Sequence, residues 1–210
     1  MNDEAKHIQL NETKWDKWAS SLDGNGWRAD YLREAQITVI ALLEVRVGMH
    51  FLDVGCGTGW AVGEAAKLVD DQGLFYGVDL SPKMIEKAAD NFYGRKNFRF
   101  VQANSESIPL EADWFDSIIC TNSFHHYLHP ALALHEMYRL LKTGGKVYIL
   151  DPTADTWVTK AADKIIKLVE PEHVKLYSTQ EFQQLFQAAG LKCSTSGKIQ
   201  GHQKVHIGEK

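Results

Sequence analysis

The sequence predicts an α/β fold built on a largely parallel β-sheet covered by helices, and three observations carry that prediction. From Phe51 onward, short apolar runs alternate with stretches of helical periodicity, the pattern of successive βαβ units. The runs are apolar at nearly every position, as strands covered on both faces must be. The first run passes directly into a glycine-rich turn, DVGCGTGW, and such strand-end loops are where open α/β sheets bind ligands.

The elements follow in order. KWDKWASS and RADYLREAQITVIALLEV read as helices separated by LDGNGW, and this region concentrates Trp15, Trp18, Trp27 and Tyr31. Residues 1–48 are therefore expected to form a helical lead-in that packs on the sheet or closes over a site as a lid. The strands are FLDV, LFYGVDL, FRFVQA, FDSIIC and KVYIL. Ser81 and Pro82 supply an N-cap and first-turn pair for a helix through MIEKAADNF. ALALHEMYRLLK has helical spacing and is expected to stop at Gly144 and Gly145. Ser178 and Glu181 form a capping box ahead of FQQLFQAA, which ends at Gly190. LKCSTSGKI and QKVHIG then read as an antiparallel hairpin at one sheet edge.

Bulk properties narrow the class. A chain of 210 residues favours one domain over its whole length. Its balance of 44% hydrophobic and 24% charged residues is that of a globular protein and excludes wholesale disorder. A net charge of −4 gives no overall attraction to nucleic acid or an anionic surface. No apolar run approaches the roughly 18 residues of a membrane span, and the N-terminus lacks the apolar core of a secretory signal. Cys56, Cys120 and Cys193 are widely spaced, with no CxxC pair, which fits a reducing cytoplasm. No metal site is expected, because the adjacent His125 and His126 lack a third ligand at a recognisable spacing.

The glycine loop carries the functional argument. Gly55, Gly57 and Gly59 let the backbone turn sharply and let a ligand approach the main chain. A phosphate-cradling loop would end in GK[ST], whereas Gly57 is followed by Thr58, Gly59 and Trp60. A dinucleotide fingerprint would require glycine where Trp60 stands. The spacing therefore favours a cofactor without phosphates. Asp79 ends the second strand about twenty residues on, a separation suited to an acid that accepts hydrogen bonds from a ribose.

Taken together, DVGCGTG, GVDLS, ANSESIPL, WFDSIICTNSFHHY and HEMYRLLKTGGKVYIL resemble the class I S-adenosylmethionine (SAM)-dependent methyltransferases. The nearest likeness is to the small-molecule group that includes the ubiquinone and menaquinone biosynthesis enzymes. That resemblance implies a Rossmann-like three-layer sandwich with a seven-stranded sheet whose last strand is antiparallel. It implies SAM as cofactor and S-adenosylhomocysteine as product. It assigns Asp53, Gly55, Gly57 and Gly59 to the methionyl part of SAM, Asp79 to the ribose and Leu80 to the adenine face. Asn104 stands where the family usually has Asp, to accept from the adenine amino group, and Ser105 offers its backbone N–H nearby. Asn122 falls near the methionyl end, and Tyr31 in the lead-in is a further cofactor-binding candidate.

Methyl transfer from a sulfonium is a direct displacement, so the protein's main contribution is alignment and exclusion of water. His125 and His126 are candidate bases if the acceptor must first lose a proton, with Tyr127 and His129 behind them. Asp151, Pro152 and Trp157 are expected near the acceptor pocket. The acceptor itself is expected to be a small molecule, and neither it nor the oligomeric state is legible. Nucleic acid is disfavoured as a partner, because Asn122, Ser123, Phe124 and His125 replace the [ND]PP[YF] turn of amino-methylating enzymes. Two further readings are a non-catalytic SAM-binding module and a methyltransferase acting on a macromolecule.

Overall fold

A computed structural model of the protein describes residues 3–19 and 26–210, apart from the side chains of residues 27, 28, 195, 196 and 198–200. The proposed LDGNG break thus lies largely outside the described residues, as does the side chain of Trp27. Helices α1 (Asp3–Trp18) and α2 (Trp27–Ile40) precede β1 (His50–Val54), α3 (Trp60–Lys67), β2 (Leu74–Asp79), α4 (Pro82–Asn91) and β3 (Phe98–Gln102). There follow β4 (Phe115–Thr121), a 3-10 turn at Phe124–His126, α5 (Pro130–Leu140) and β5 (Leu141–Pro152). The chain ends with α6 (Trp157–Val169), α7 (Thr179–Ala188), β6 (Lys192–Gln200) and β7 (Gln203–Glu209).

The seven strands form one sheet in the order β3-β2-β1-β4-β5-β7-β6. The first five pair in parallel, and β7 runs antiparallel to both β5 and β6. The predicted tail hairpin is present, with β7 drawn inside the sheet and β6 at its edge. Side chains alternate between two cores, as period-2 geometry requires. Leu52, Ile118, Val147 and Ile149 pack with α5 and α7, whereas Phe51, Ile119, Tyr148 and Leu150 pack with α2 and α3. These residues are almost completely buried, and each contributes roughly 1.5–3 kcal/mol of hydrophobic stabilisation.

The helix signals act as read, with three shifts, the first being that α1 begins at Asp3 rather than at Lys14. Ser81 Oγ accepts the Met84 N–H at the start of α4, and Ser178 and Glu181 complete a reciprocal capping box on α7. Gly190, at φ +85°, follows α7 in the left-handed region that ends helices. Gly144 and Gly145, however, do not stop α5. The helix ends at Leu140, and both glycines belong to an early extension of β5. Helix α2 likewise ends at Ile40 rather than running on to Val45.

Candidate functional site

From β1 the chain moves outward to β2 and β3, then returns to place β4 on the other side of β1. The crevice where this order reverses is the usual ligand site of an open parallel sheet. A cavity of about 180 Å³ opens there. Its walls are the β1 loop (Gly55–Thr58), the β2 end (Asp79, Leu80), Asn104 and Ser105 after β3, and Thr121–Ser123 after β4. Helices α1 and α2 complete it with His7, Asn11, Trp15, Leu32, Arg33 and Gln36.

The three loop glycines serve different ends. All have positive φ (84°, 53° and 82° for Gly55, Gly57 and Gly59), which costs any other L-residue strain. A Cβ at Gly55 would lie 2.4 Å from Ser123 Oγ, so this glycine lets β1 and the β4 loop approach each other. A Cβ at Gly59 would meet Phe100 at 2.9 Å and Phe92 at 3.2 Å. Gly59 is outside the cavity lining and serves helix packing. At Gly57 the nearest atom would be Met84 Sδ at 4.0 Å, so this glycine leaves open space beside the cavity. Trp60, which counted against a dinucleotide, opens α3 and lines the wall, with Arg33 lying 5.8 Å over its ring.

Asp79 ties the site together. One carboxylate oxygen accepts the Gly57 N–H at 2.8 Å and the other accepts the Ser81 N–H at 2.9 Å. Burial pushes its pKa up, and these backbone hydrogen bonds oppose the rise. A carboxylate has about four lone-pair sites, so acceptor capacity remains for a diol. Asn104 Oδ1 already accepts the Glu106 N–H at 3.0 Å, in a local turn that fixes the side chain at the cavity edge. Asn122, at φ +52°, accepts a hydrogen bond from Gln203, and its buried Nδ2 has no partner among the described residues. A ligand acceptor atom would satisfy that donor.

Several candidates stand apart from the cavity. Asp53 is fully buried on the α2/α3 side of the sheet, and neither of its oxygens has a hydrogen-bond partner among the described residues. Burial, with help from the Asp79 charge, pushes its pKa up to about 8. Tyr31 lies on the face of α2 opposite Ala29, Arg33 and Gln36, as 100° per residue dictates, and is exposed outside the lining. Trp157 is 82% exposed and does not reach the pocket.

The two histidines separate. His125 turns away from the lining and pairs through Nδ1 with the buried Asp151 carboxylate at 2.9 Å. Asp151 is thereby engaged with a side chain rather than facing the cavity. His126 does line the cavity. Its Nδ1 donates to the Glu172 carbonyl at 3.1 Å, which leaves the lone pair on Nε2. Burial and the neighbouring His125 hold its pKa well below the ordinary value, so it is a neutral imidazole.

Helix α1 supplies contacts that local sequence patterns did not reveal. Asp16 accepts the Ser81 hydroxyl at 2.5 Å, and Trp15 meets the His126 ring edge-on at 5.5 Å. Lys14 pairs with Glu170 at 2.8 Å and also with Glu172. The lead-in therefore covers the cavity and is fastened on two sides. At the rim, Glu4, Glu106 and His129 lie close enough to share a cation, an arrangement exposed carboxylates often adopt without one.

The family described as "Methyltransferase domain" matches residues 46–190. The uncharacterized methyltransferase YcgJ of Bacillus subtilis is 31% identical over 157 residues, covering 73% of this chain and 61% of YcgJ. The ubiquinone/menaquinone biosynthesis C-methyltransferase UbiE of Vibrio parahaemolyticus is 32% identical over 109 residues, covering 50% and 42%. This chain thus spans between two fifths and two thirds of the length of these relatives. In fold, it is similar to a methyltransferase solved in complex with the Haloferax volcanii Trm112 methyltransferase activator. The TM-score is 0.80 at 18% identity, covering 93% of this chain and 96% of the other. With the matched region reaching from just before β1 to the end of α7, this chain belongs to the methyltransferase-domain family, for which SAM is the expected cofactor.

Proposed function

We propose that this protein transfers a methyl group from SAM to a small-molecule acceptor. The observation that carries the reading is the convergence of four separate loops on one cavity at the sheet's switch point. Gly57, Asp79, Asn104 with Ser105, and Asn122 arrive there from positions spread over 66 residues of chain. The residues fit the cofactor. Gly57 leaves room at the loop, Asp79 retains acceptor capacity for a ribose, and Asn122 holds a buried donor without a partner among the described residues. Among the described residues of the wall, Arg33 is the one lysine or arginine present, and it lies over the Trp60 ring.

When bound, SAM supplies an activated methyl group on a sulfonium. The chain's part is positional. The glycine loop and Asp79 hold the donor, while α1 and α2 cover the cavity and exclude water. Residues 1–48 belong, in this reading, to the same catalytic unit as the rest of the chain. His126 is the one histidine of the pair on the wall, and its neutral ring offers the Nε2 lone pair as a hydrogen-bond acceptor that would orient an acceptor hydroxyl or amine, whereas its burial opposes full proton transfer. The Glu172 carbonyl and the edge of Trp15 hold its ring in place. Three free cysteines accord with a cytoplasmic setting.

A second reading is a methyltransferase that works on a macromolecule or through a partner protein. The neighbour solved with a methyltransferase activator favours it. Incubation with methyl-labelled SAM and panels of phenols, quinone precursors, small amines and carboxylates tests the first reading. Transfer to a low-molecular-weight acceptor supports it. Transfer confined to protein or RNA contradicts it and favours the second.

A further inference from the structure

Helix α6 exposes the kind of face that helices normally bury. At 100° per residue, Trp157, Leu168, Ile165, Val158 and Val169 fall on one stripe about 120° wide. Trp157 and Leu168 are more than four-fifths exposed. Lys160, Lys164 and Lys167 run along one border of this stripe. The opposite side attaches the helix to the protein. Thr159 is buried in the capping box, and Asp163 accepts His173 Nε2–H and Leu176 N–H at 2.7 Å each.

We propose that α6 is a membrane-contact helix that seats the protein on an anionic phospholipid surface. The apolar stripe enters the acyl boundary, with Trp157 at the interface. The lysines extend to the phosphate headgroups. Charge complementarity selects the occupant. None of the three lysines has an ion pair among the described residues, whereas the neighbouring acids are engaged. Asp155 pairs with Lys204, Asp163 with His173, and Glu170 with Lys14. The local field along this border is therefore positive even though the whole chain carries −4. No helix among the described residues is long and apolar enough to cross a membrane, so α6 lies on the bilayer rather than spanning it. The segment that follows α6 contributes the Glu172 carbonyl that holds His126.

Vesicle flotation tests the proposal. The intact protein should float with phosphatidylcholine vesicles carrying phosphatidylglycerol, should not float with phosphatidylcholine alone, and should detach as salt is raised. Trp157→Ser with Leu168→Ser should lower the bound fraction by roughly tenfold or more. Lys160→Glu, Lys164→Glu and Lys167→Glu together should abolish the preference for anionic vesicles. All five positions are exposed, so circular dichroism should remain that of the parent. Absence of flotation with anionic vesicles overturns the proposal, as does flotation that neither set of variants reduces. A concentration-dependent dimer in light scattering, lost in Trp157→Ser/Leu168→Ser while vesicles fail to bind, would assign the face to a second copy of the chain.

Discussion

The Asp79 carboxylate accepts the backbone N–H of Gly57 at 2.8 Å, so the acid that ends β2 also fixes the turn that follows β1. Its second oxygen anchors the start of α4 through the Ser81 N–H. Asp79→Ala should remove charge-assisted hydrogen bonds to the cofactor worth about 1.5–3 kcal/mol each, or roughly ten- to a hundredfold in Kd for each bond lost. Asp79→Asn keeps the shape but leaves one acceptor oxygen for two N–H groups, and should fall between the alanine variant and the parent. Calorimetry with SAM measures both. An unchanged Kd in Asp79→Ala would remove the ribose assignment.

The glycines of the loop should separate binding from folding. Gly57→Ala places a methyl group in open space at positive φ, a strain of about 1–2 kcal/mol, and should weaken SAM binding while the fold survives. Gly59→Ala adds a clash with Phe100 to similar strain and should destabilise by about 2–4 kcal/mol. Urea titrations of the two variants give the comparison. Equal stability losses would mean that the two glycines do the same job.

Asp53 should leave a mark on the pH dependence of stability. Burial raises its pKa from 3.8 to about 8 in the folded protein. The folded state therefore holds the proton more tightly than the unfolded state. The resulting stabilisation is complete below about pH 4 and is lost as the pH rises through 8. Asp53→Asn, neutral throughout, should flatten this decline and melt later than the parent above pH 8. Parallel melting curves for the two proteins from pH 5 to 9 would contradict the assignment.

Lys14 fastens α1 over the cavity through Glu170 and Glu172. Lys14→Ala should leave Glu172, which is largely buried, without its cation. We expect faster hydrogen exchange across residues 3–18, by about fivefold for each 1 kcal/mol lost, and weaker retention of SAM. Exchange confined to parent levels would show that this contact does not hold the helix down.

The sheet and the glycine-loop wall of the cavity were legible because their signals are local. Apolar runs mark strands buried on both sides, and the glycine turn and Asp79 announce themselves by residue type and spacing. The cover over the cavity was less so. Asp16 meets Ser81 across 65 residues and Lys14 meets Glu170 across 156, and no pattern in α1 points to either partner. Tyr31 falls outside the cavity lining because aromatic content does not say which side of α2 faces inward. His125 and His126 are adjacent in sequence, yet the turn at Phe124–His126 sends one ring to Asp151 and the other to the cavity wall. Trp157 follows β5 closely but starts a helix that faces outward.

Binding of an adenosyl cofactor in this cavity through the glycine loop and Asp79 is tested most closely by direct titration. Calorimetry with S-adenosylhomocysteine should give one site per chain, with affinity weakened at least tenfold in Asp79→Ala and no heat from NAD. A folded parent protein that binds neither SAM nor S-adenosylhomocysteine, or that binds NAD instead, would contradict it.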